Sequence, residues 1–109
     1  MFVTTIPQYV LGMTNAKVDL TTTDATVLYT APSAADFNSS VISSILVSED
    51  SGNADTITVT LTSGTTVFSL FKVKAVGANT TVELLTNDLV LQSAEILKVT
   101  AATANRLHV

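Results

Sequence analysis

The chain contains no cysteine and no tryptophan, and only 13% of its 109 residues are charged. The absence of cysteine excludes a disulfide framework, a thiolate metal site and a cysteine nucleophile. Soluble domains usually carry about 25% charged residues, whereas here the hydrophobic fraction reaches 47%. A surface so poor in charge predicts a subunit that is partly covered by partners. The alternative is a monomer coated with threonine and serine.

Basic side chains are few as well. The chain has five Lys and Arg residues and nine Asp and Glu residues, which gives a net charge of −4. Because binding to a phosphate backbone needs clustered basic side chains, we expect no direct contact with nucleic acid. No run approaches the roughly 20 apolar residues of a membrane helix, and the first residues lack the basic lead of a signal peptide. We therefore expect no membrane association, and synthesis and folding in the cytoplasm.

The most regular stretch runs from residue 56 to residue 75. Ile57, Val59 and Leu61 alternate with threonine, Ser63-Gly64 provides a turn signal, and a second extended run follows. This pattern predicts a β-hairpin. Since an isolated hairpin is only marginally stable in water, other strands must cover its apolar face.

Further strands are predicted on both sides of this hairpin, at 17–20, 25–30, 40–48, 80–85, 89–91, 96–101 and from 107 onward. The 40–48 run has apolar residues on both faces, which indicates a strand that is central in a sandwich or half covered by another chain. Gly, Pro and Asn/Asp turns join the strands, and no segment has a convincing helical period. The sequence thus predicts an all-β fold: a single antiparallel β-sandwich or jelly-roll-like domain over residues 17–109.

The first 16 residues contain no charged side chain but several large apolar ones. Such a segment would be poorly ordered alone and is unfavourable in water. We predict an extended N-terminal arm, residues 1–16, that lies on a neighbouring subunit. The alternative is an edge segment packed on its own domain.

The strand after the Ser63-Gly64 turn is predicted to place Val67, Phe71, Val73 and Ala75 on one face. Phe68 and Leu70 then lie on the opposite face, ahead of two lysines. Burial of each at a subunit contact would contribute about 1.5–3 kcal/mol; the alternative is that the strand twists and both reach the core. Together with the arm, they give a candidate partner interface of Phe2, Val3, Ile6, Tyr9, Val10, Leu11, Phe68 and Leu70.

The sequence offers no catalytic constellation. His108 is the one histidine and has no carboxylate near it in sequence, and no serine lies in a Gly-x-Ser-x-Gly pattern. Glu83 and Glu95 come from separate strands, and Lys72 and Lys74 are expected to pair with them across the sheet. We therefore predict a protein that is not an enzyme, with no catalytic residue and no cofactor.

An oxygen-rich segment surrounds Gly52 and includes Glu49, Asp50, Asn53 and Asp55. Oxygen ligands of this kind can hold calcium. Their order does not match the Asp-x-Asx-x-Asx-Gly loop with its distal Glu, however. A solvated loop without metal is the favoured interpretation, and a calcium site is the alternative.

Four segments carry a resemblance to a known family: residues 27–33, 41–47, 77–84 and 89–91. They resemble small virion proteins of tailed bacteriophages, notably those of aquatic and cyanobacterial phages, and the likeness spans residues 18–109. The resemblance implies a non-enzymatic β-sandwich building block of the particle. In that family a further strand follows the one that starts at Leu107, so this chain is either truncated or ends in an edge strand that awaits a partner.

Head cement or decoration proteins, neck and tail components and fibre domains share such folds. The short chain, the uncharged arm and the low charge favour a capsid cement protein, typically a trimer, that binds across major capsid subunits in the virion. A neck, tail or fibre component is the alternative within this family. A receptor- or glycan-binding module with loops at 34–38 and 49–55 is a further one, although neither loop carries Trp or Tyr.

Overall fold

A computed structural model describes residues 15–31 and 39–109, and within these ranges the chain is all-β, with antiparallel strand pairs and no helix. Hence no described segment could cross a membrane as a helix. The strands are β1 Thr26–Thr30, β2 Ser39–Ile42, β3 Leu46–Glu49, β4 Asp55–Ser63, β5 Thr66–Val76, β6 Thr81–Glu83, β7 Leu89–Gln92, β8 Ile96–Ala101 and β9 Leu107–His108. They form three sheets, ordered β1-β8-β4-β5, β2-β7 and β6-β3-β9.

The predicted hairpin is confirmed as β4 and β5, the two longest strands. Ser63 pairs with Thr66 across a loop of two residues. Gly64 takes the first loop position with a φ of 62°. A positive φ is needed there for the loop to follow the twist of the strands, and glycine adopts it without steric cost.

The predicted alternation along β5 is wrong because the strand contains two irregularities. The register places Ser69 opposite Thr60 but Phe71 opposite Val59, so Leu70 is an extra residue. A second shift lies near Val73, whose φ is 54°. Each added residue reverses the faces of the residues beyond it.

The strand predicted at 25–30 is confirmed as β1, but simple alternation would place Val27 and Tyr29 on one face, and the structure does not. Val27 lies opposite Lys98 and Tyr29 lies opposite Leu97, with a register shift between them. Val27 and Tyr29 therefore lie on different faces rather than on one. Leu28 and Tyr29 are both partly buried against the core, whereas Val27 is exposed.

The single strand predicted at 40–48 is in fact two strands of different sheets. β2 pairs with β7, whereas β3 pairs with β6 and β9. The break falls at Ser43-Ser44, where the Glu83 carboxylate accepts hydrogen bonds from Ser44 Oγ and from the backbone N–H of Ile45, the latter at 2.8 Å. A side chain therefore takes the place of a ladder partner at this point.

β9 has neighbours on both sides, and so it is not an edge strand that awaits a partner. On one side it pairs with β3. On the other, Asp19 forms a bridge with His108, and the Leu20 N–H donates to the Leu107 carbonyl at 3.0 Å. The strand predicted at 17–20 is thus a short extended segment that closes this edge of the sheet.

One hydrophobic cluster connects the three sheets. Its buried members come from β3, β4, β5, β7, β8 and β9, and segments between strands contribute as well: Leu20, Ala31, Ile45, Val47, Ile57, Val59, Val76, Leu84, Leu91, Leu97, Val99, Ala101 and Leu107. On β8, Leu97 and Val99 point into it, at the positions opposite Leu61 and Val59. Because all three sheets share this core, the described residues pack as one unit.

Candidate interaction surface

The predicted interface residues divide into two groups. Phe2, Val3, Ile6, Tyr9, Val10 and Leu11 lie outside the described residues, as does most of the predicted arm. Phe68 and Leu70 both lie on β5, the last strand of the four-stranded sheet. Phe68 is 51% exposed near the tip of the hairpin, and Leu70 is partly buried against the core.

Several other large apolar side chains on the strands are half exposed or more. They are Val27, Val41, Leu46, Val67, Val73 and Val90. Val41 on β2 and Val90 on β7 are directly opposite each other, with exposures of 57% and 55%. Opposed residues on a sheet point to the same side, so this pair forms a small apolar patch.

One feature of the sequence indicates this patch: the 40–48 run has apolar residues on both faces. Of the two interpretations of that run, a strand half covered by another chain fits the exposure of Val41 and Leu46. The pairing of Val41 with Val90 had no signal in the sequence, since 49 residues separate the two strand positions. Only the register brings them together.

A groove of about 480 Å³ opens between β5 and the segment from β6 to the start of β7. Its apolar lining consists of Leu70, Phe71, Val82, Leu84, Leu85 and Leu89. Lys74, Asn87 and Asp88 are exposed polar residues that also line the groove. The volume lies within the range of roughly 300–1,000 Å³ that is usual for ligand pockets.

The irregularity of β5 at Leu70 explains why the sequence pattern does not predict the groove. Alternation predicts Leu70 and Phe71 on opposite faces, but both line the groove, and both pack against the core. The extra residue at Leu70 makes two successive side chains face one partner residue, Val59. An uninterrupted strand would turn one of them away.

Glu49 lies at the end of β3, only 2% exposed, beneath two surface loops. One carboxylate oxygen accepts bonds from Ser51 Oγ, from the Ser51 N–H at 2.8 Å and from the Asn53 N–H at 3.4 Å. The other accepts the Asn79 N–H at 2.8 Å. Burial raises the pKa of Glu49, but these hydrogen bonds outweigh it and lower the pKa from 4.5 to about 2.

The interpretation of residues 49–55 as a solvated loop is therefore only partly correct. Residues 50–54 are exposed, but Glu49 and Asp55 are buried. Asp55 accepts the Thr103 N–H at 3.1 Å, so both carboxylates hold backbone groups. Within the described ranges, no group of three or more metal-binding side chains is placed to hold an ion.

His108 is flanked by two carboxylates that sequence spacing did not reveal. Its Nε2 lies 3.2 Å from Asp50 Oδ1, and its Nδ1 lies 3.6 Å from Asp19 Oδ1. All three side chains are largely solvent-exposed. Exposed pairs of this kind contribute about 0–1 kcal/mol, so the arrangement joins the 17–20 segment, β9 and the start of the 50–54 loop only weakly.

The predicted pairing of Lys72 and Lys74 with glutamates is not found. In the described part of the chain, the close contacts between basic and acidic side chains involve His108 and neither lysine. Glu83 is held by Ser44 and Ile45, and Glu95 accepts the Gln92 N–H at 2.5 Å. The Ser44 hydroxyl, despite opposing desolvation, lowers the pKa of Glu83 below its usual value.

Comparison of the chain with known protein families, with curated proteins and with solved structures found no match.

Proposed function

We propose that this chain is a structural protein of a bacteriophage particle, a cement or decoration protein that binds across major capsid subunits and is not an enzyme. The observation that carries the proposal is the exposed apolar surface of a chain with few charges. Seven large apolar side chains on described strands are at least half exposed, and only 13% of all residues are charged. Such a surface is explained by burial against partners in an assembly.

The fold proposed for this role is a β-sandwich or jelly roll. The support is the single hydrophobic core to which all three sheets contribute. Two layers that share one core are the usual way for antiparallel sheets to bury their apolar faces. The resemblance of residues 18–109 to small virion proteins points to the same architecture.

In this proposal the protein is a homotrimer located in the virion. Exposed positions such as Phe68, Val41 and Val90 face neighbouring subunits, and burial of their apolar area stabilises the contact. A clamp across neighbouring capsid subunits would let the shell bear a higher internal pressure from packaged DNA. The net charge of −4 supports contact with the protein shell rather than with the nucleic acid.

Imaging of purified particles with and without this protein tests the proposal. Cement proteins occupy many equivalent sites over the head, so the expected result is regular density on the capsid surface that disappears when the gene is removed. Density at the neck, tail or fibres instead would replace the head role with one of the alternatives. Particles that never contain the protein would refute a virion role altogether.

A release assay gives a functional readout for the same particles. Heating releases packaged DNA, which a fluorescent dye detects. Particles that lack the protein should release DNA at a lower temperature than complete particles, and adding the purified protein back should restore the difference. Equal release temperatures would contradict a stabilising role even if the protein lies on the head.

A further inference from the structure

We propose that the groove between β5 and the β6–β7 segment is the docking site for the N-terminal segment, residues 1–14, of a second copy of this chain. The inference rests on the proposed function, because it identifies the surface through which an assembling subunit receives its neighbour. Four features support it: the fixed walls of the groove, its chemistry, the chemistry of the segment, and the positions of the two on the sheet.

The β6 wall of the groove is held by hydrogen bonds before any partner arrives, and the opposite wall, β5, is held by its ladder to β4. Ile45 N–H donates to the Glu83 carboxylate at 2.8 Å, and Leu84 N–H donates to the Ile45 carbonyl at 2.9 Å. These bonds fix β6 and the following residues to the segment before β3. A preformed site binds with a smaller loss of conformational entropy.

The groove has an apolar floor and polar margins. Leu70, Phe71, Val82, Leu85 and Leu89 are partly exposed there, and Leu84 lies buried beneath them. The Glu83 carboxylate is already engaged by Ser44 and Ile45. The floor therefore favours a neutral apolar ligand over a charged one.

Residues 1–14 match this chemistry. They contain no charged side chain, and their large apolar residues are spaced along the whole segment at Phe2, Ile6 and Leu11 among others. A volume of about 480 Å³ admits several side chains but not a folded domain. The ligand is thus expected to be a short extended peptide.

The sheet places the start of the described chain and the groove at opposite edges. Residues 18–20 bond to the outer side of β9, and the sheet continues through β3 to β6, which borders the groove. A segment that leaves one edge and docks at the other edge of the next copy makes a head-to-tail contact. Repetition of such a contact closes a ring when the rotation permits, as a trimer requires.

The segment is long enough for this contact. Fourteen extended residues span up to roughly 46–50 Å, whereas three strand spacings amount to about 14 Å. The same length would also allow the segment to fold back into the groove of its own copy. The test must therefore distinguish exchange between copies from docking within one.

Cysteine cross-linking makes this distinction, since the natural chain has no cysteine. One tagged population carries Val3→Cys, Ile6→Cys or Tyr9→Cys, each as a single variant, and an untagged population carries Leu85→Cys. The two populations are unfolded, mixed, refolded together and oxidised. The expected result is a tagged–untagged heterodimer at one or more arm positions, because a disulfide forms only when the Cα atoms approach within about 7 Å.

Ala102→Cys in the untagged chain is the matched control, since Ala102 is exposed just after β8, does not line the groove and is not one of the positions proposed to face a neighbouring subunit. The inference would be overturned if the groove cysteine gave no more heterodimer than the control cysteine at every arm position. A further variant carries the arm cysteine and the groove cysteine in the same chain. If this variant forms an internal disulfide while the mixture gives no heterodimer, the segment docks within its own copy and the inference is overturned. If circular dichroism shows that the Leu85→Cys chain does not fold, Leu89→Cys provides a second groove position for the same comparison.

The outcome is separable from that of the proposed function. Cross-linking is measured on the purified protein, whereas the cement role is measured on particles. Particles whose heads carry the protein, combined with no cross-link to the groove, would refute only the groove inference. A specific cross-link combined with particles that never contain the protein would refute only the virion role.

Discussion

The Leu107→Ala substitution should destabilise the fold far more than its position near the chain end suggests. Leu107 is fully buried, its carbonyl accepts the Leu20 N–H, and it pairs with Glu49 of β3. Truncation of a buried leucine to alanine typically costs about 2–5 kcal/mol, through lost transfer free energy and the cavity that remains. A domain of this size has a total stability of roughly 5–15 kcal/mol, so a large share of it depends on this side chain.

Urea unfolding followed by circular dichroism measures the effect. The midpoint should fall with the slope unchanged, and at about 4 °C per kcal/mol the melting temperature should drop by roughly 8–20 °C. His108→Ala is the matched control, because this neighbouring side chain is exposed and its contacts with Asp19 and Asp50 contribute at most about 1 kcal/mol. Hydrogen exchange at the Leu20 N–H should accelerate in the leucine variant.

Equal midpoints for Leu107→Ala and His108→Ala would refute the reasoning. That result would mean that the 17–20 segment and β9 contribute little to the core. The N-terminal segment would then leave the body from no fixed position, and the edge-to-edge geometry of the proposed contact would lose its basis.

Three further predictions address the surface and the loops. Phe68→Ser should weaken self-assembly by about 2 kcal/mol, roughly 30-fold in affinity, if the exposed half of the ring is buried in the contact. Analytical ultracentrifugation measures the affinity, and an unchanged value would place Phe68 outside the interface. Glu49→Gln should lower the free energy of unfolding at neutral pH and make it depend less on pH. The pKa of Glu49 in the folded protein is about 2, below the ordinary 4.5. The carboxylate therefore stabilises the fold fully above pH 4.5 and progressively less as the pH falls toward 2. Denaturation midpoints across that window provide the test, and parallel profiles for variant and wild type would contradict it. Gly64→Val should cost about 1–2 kcal/mol because of its positive φ, whereas Gly64→Asn should cost less; similar melting temperatures for the two would show that the turn adapts.

The parts of the fold that sequence predicted well are those with uninterrupted alternation. β8 has the predicted bounds, 96–101, and the hairpin of β4 and β5 extends only one residue beyond the predicted range at each end. For β5 only the bounds are predicted well and not the faces, since two irregularities interrupt its alternation. In β4 and β8, local pattern and burial agree, because the apolar residues reach the core by the two-residue period alone. No distant residue is needed to fix them.

The failures arise where a distant group changes a local pattern. Glu83 ends the ladder at Ser44-Ile45, 38 or 39 residues away, and so divides a run that looks continuous. The Glu49 carboxylate can be buried because it accepts a hydrogen bond from the Asn79 N–H, which lies 30 residues further along the chain. Neither partner can be identified from spacing, since loops of this length constrain the distance between their ends only weakly.

The edge of β5 indicates how partners would attach to the four-stranded sheet. Strand addition needs a regular row of free N–H and C=O groups, but β5 contains two irregularities, and the Val73 N–H already bonds to Thr58 Oγ1 at 3.1 Å. Lys72 and Lys74 are also exposed along this strand, and irregular edges with lysine oppose pairing with another chain. The same irregularity presents Leu70 and Phe71 together to the groove. On this edge, then, assembly is expected to proceed by insertion of apolar side chains rather than by extension of the sheet.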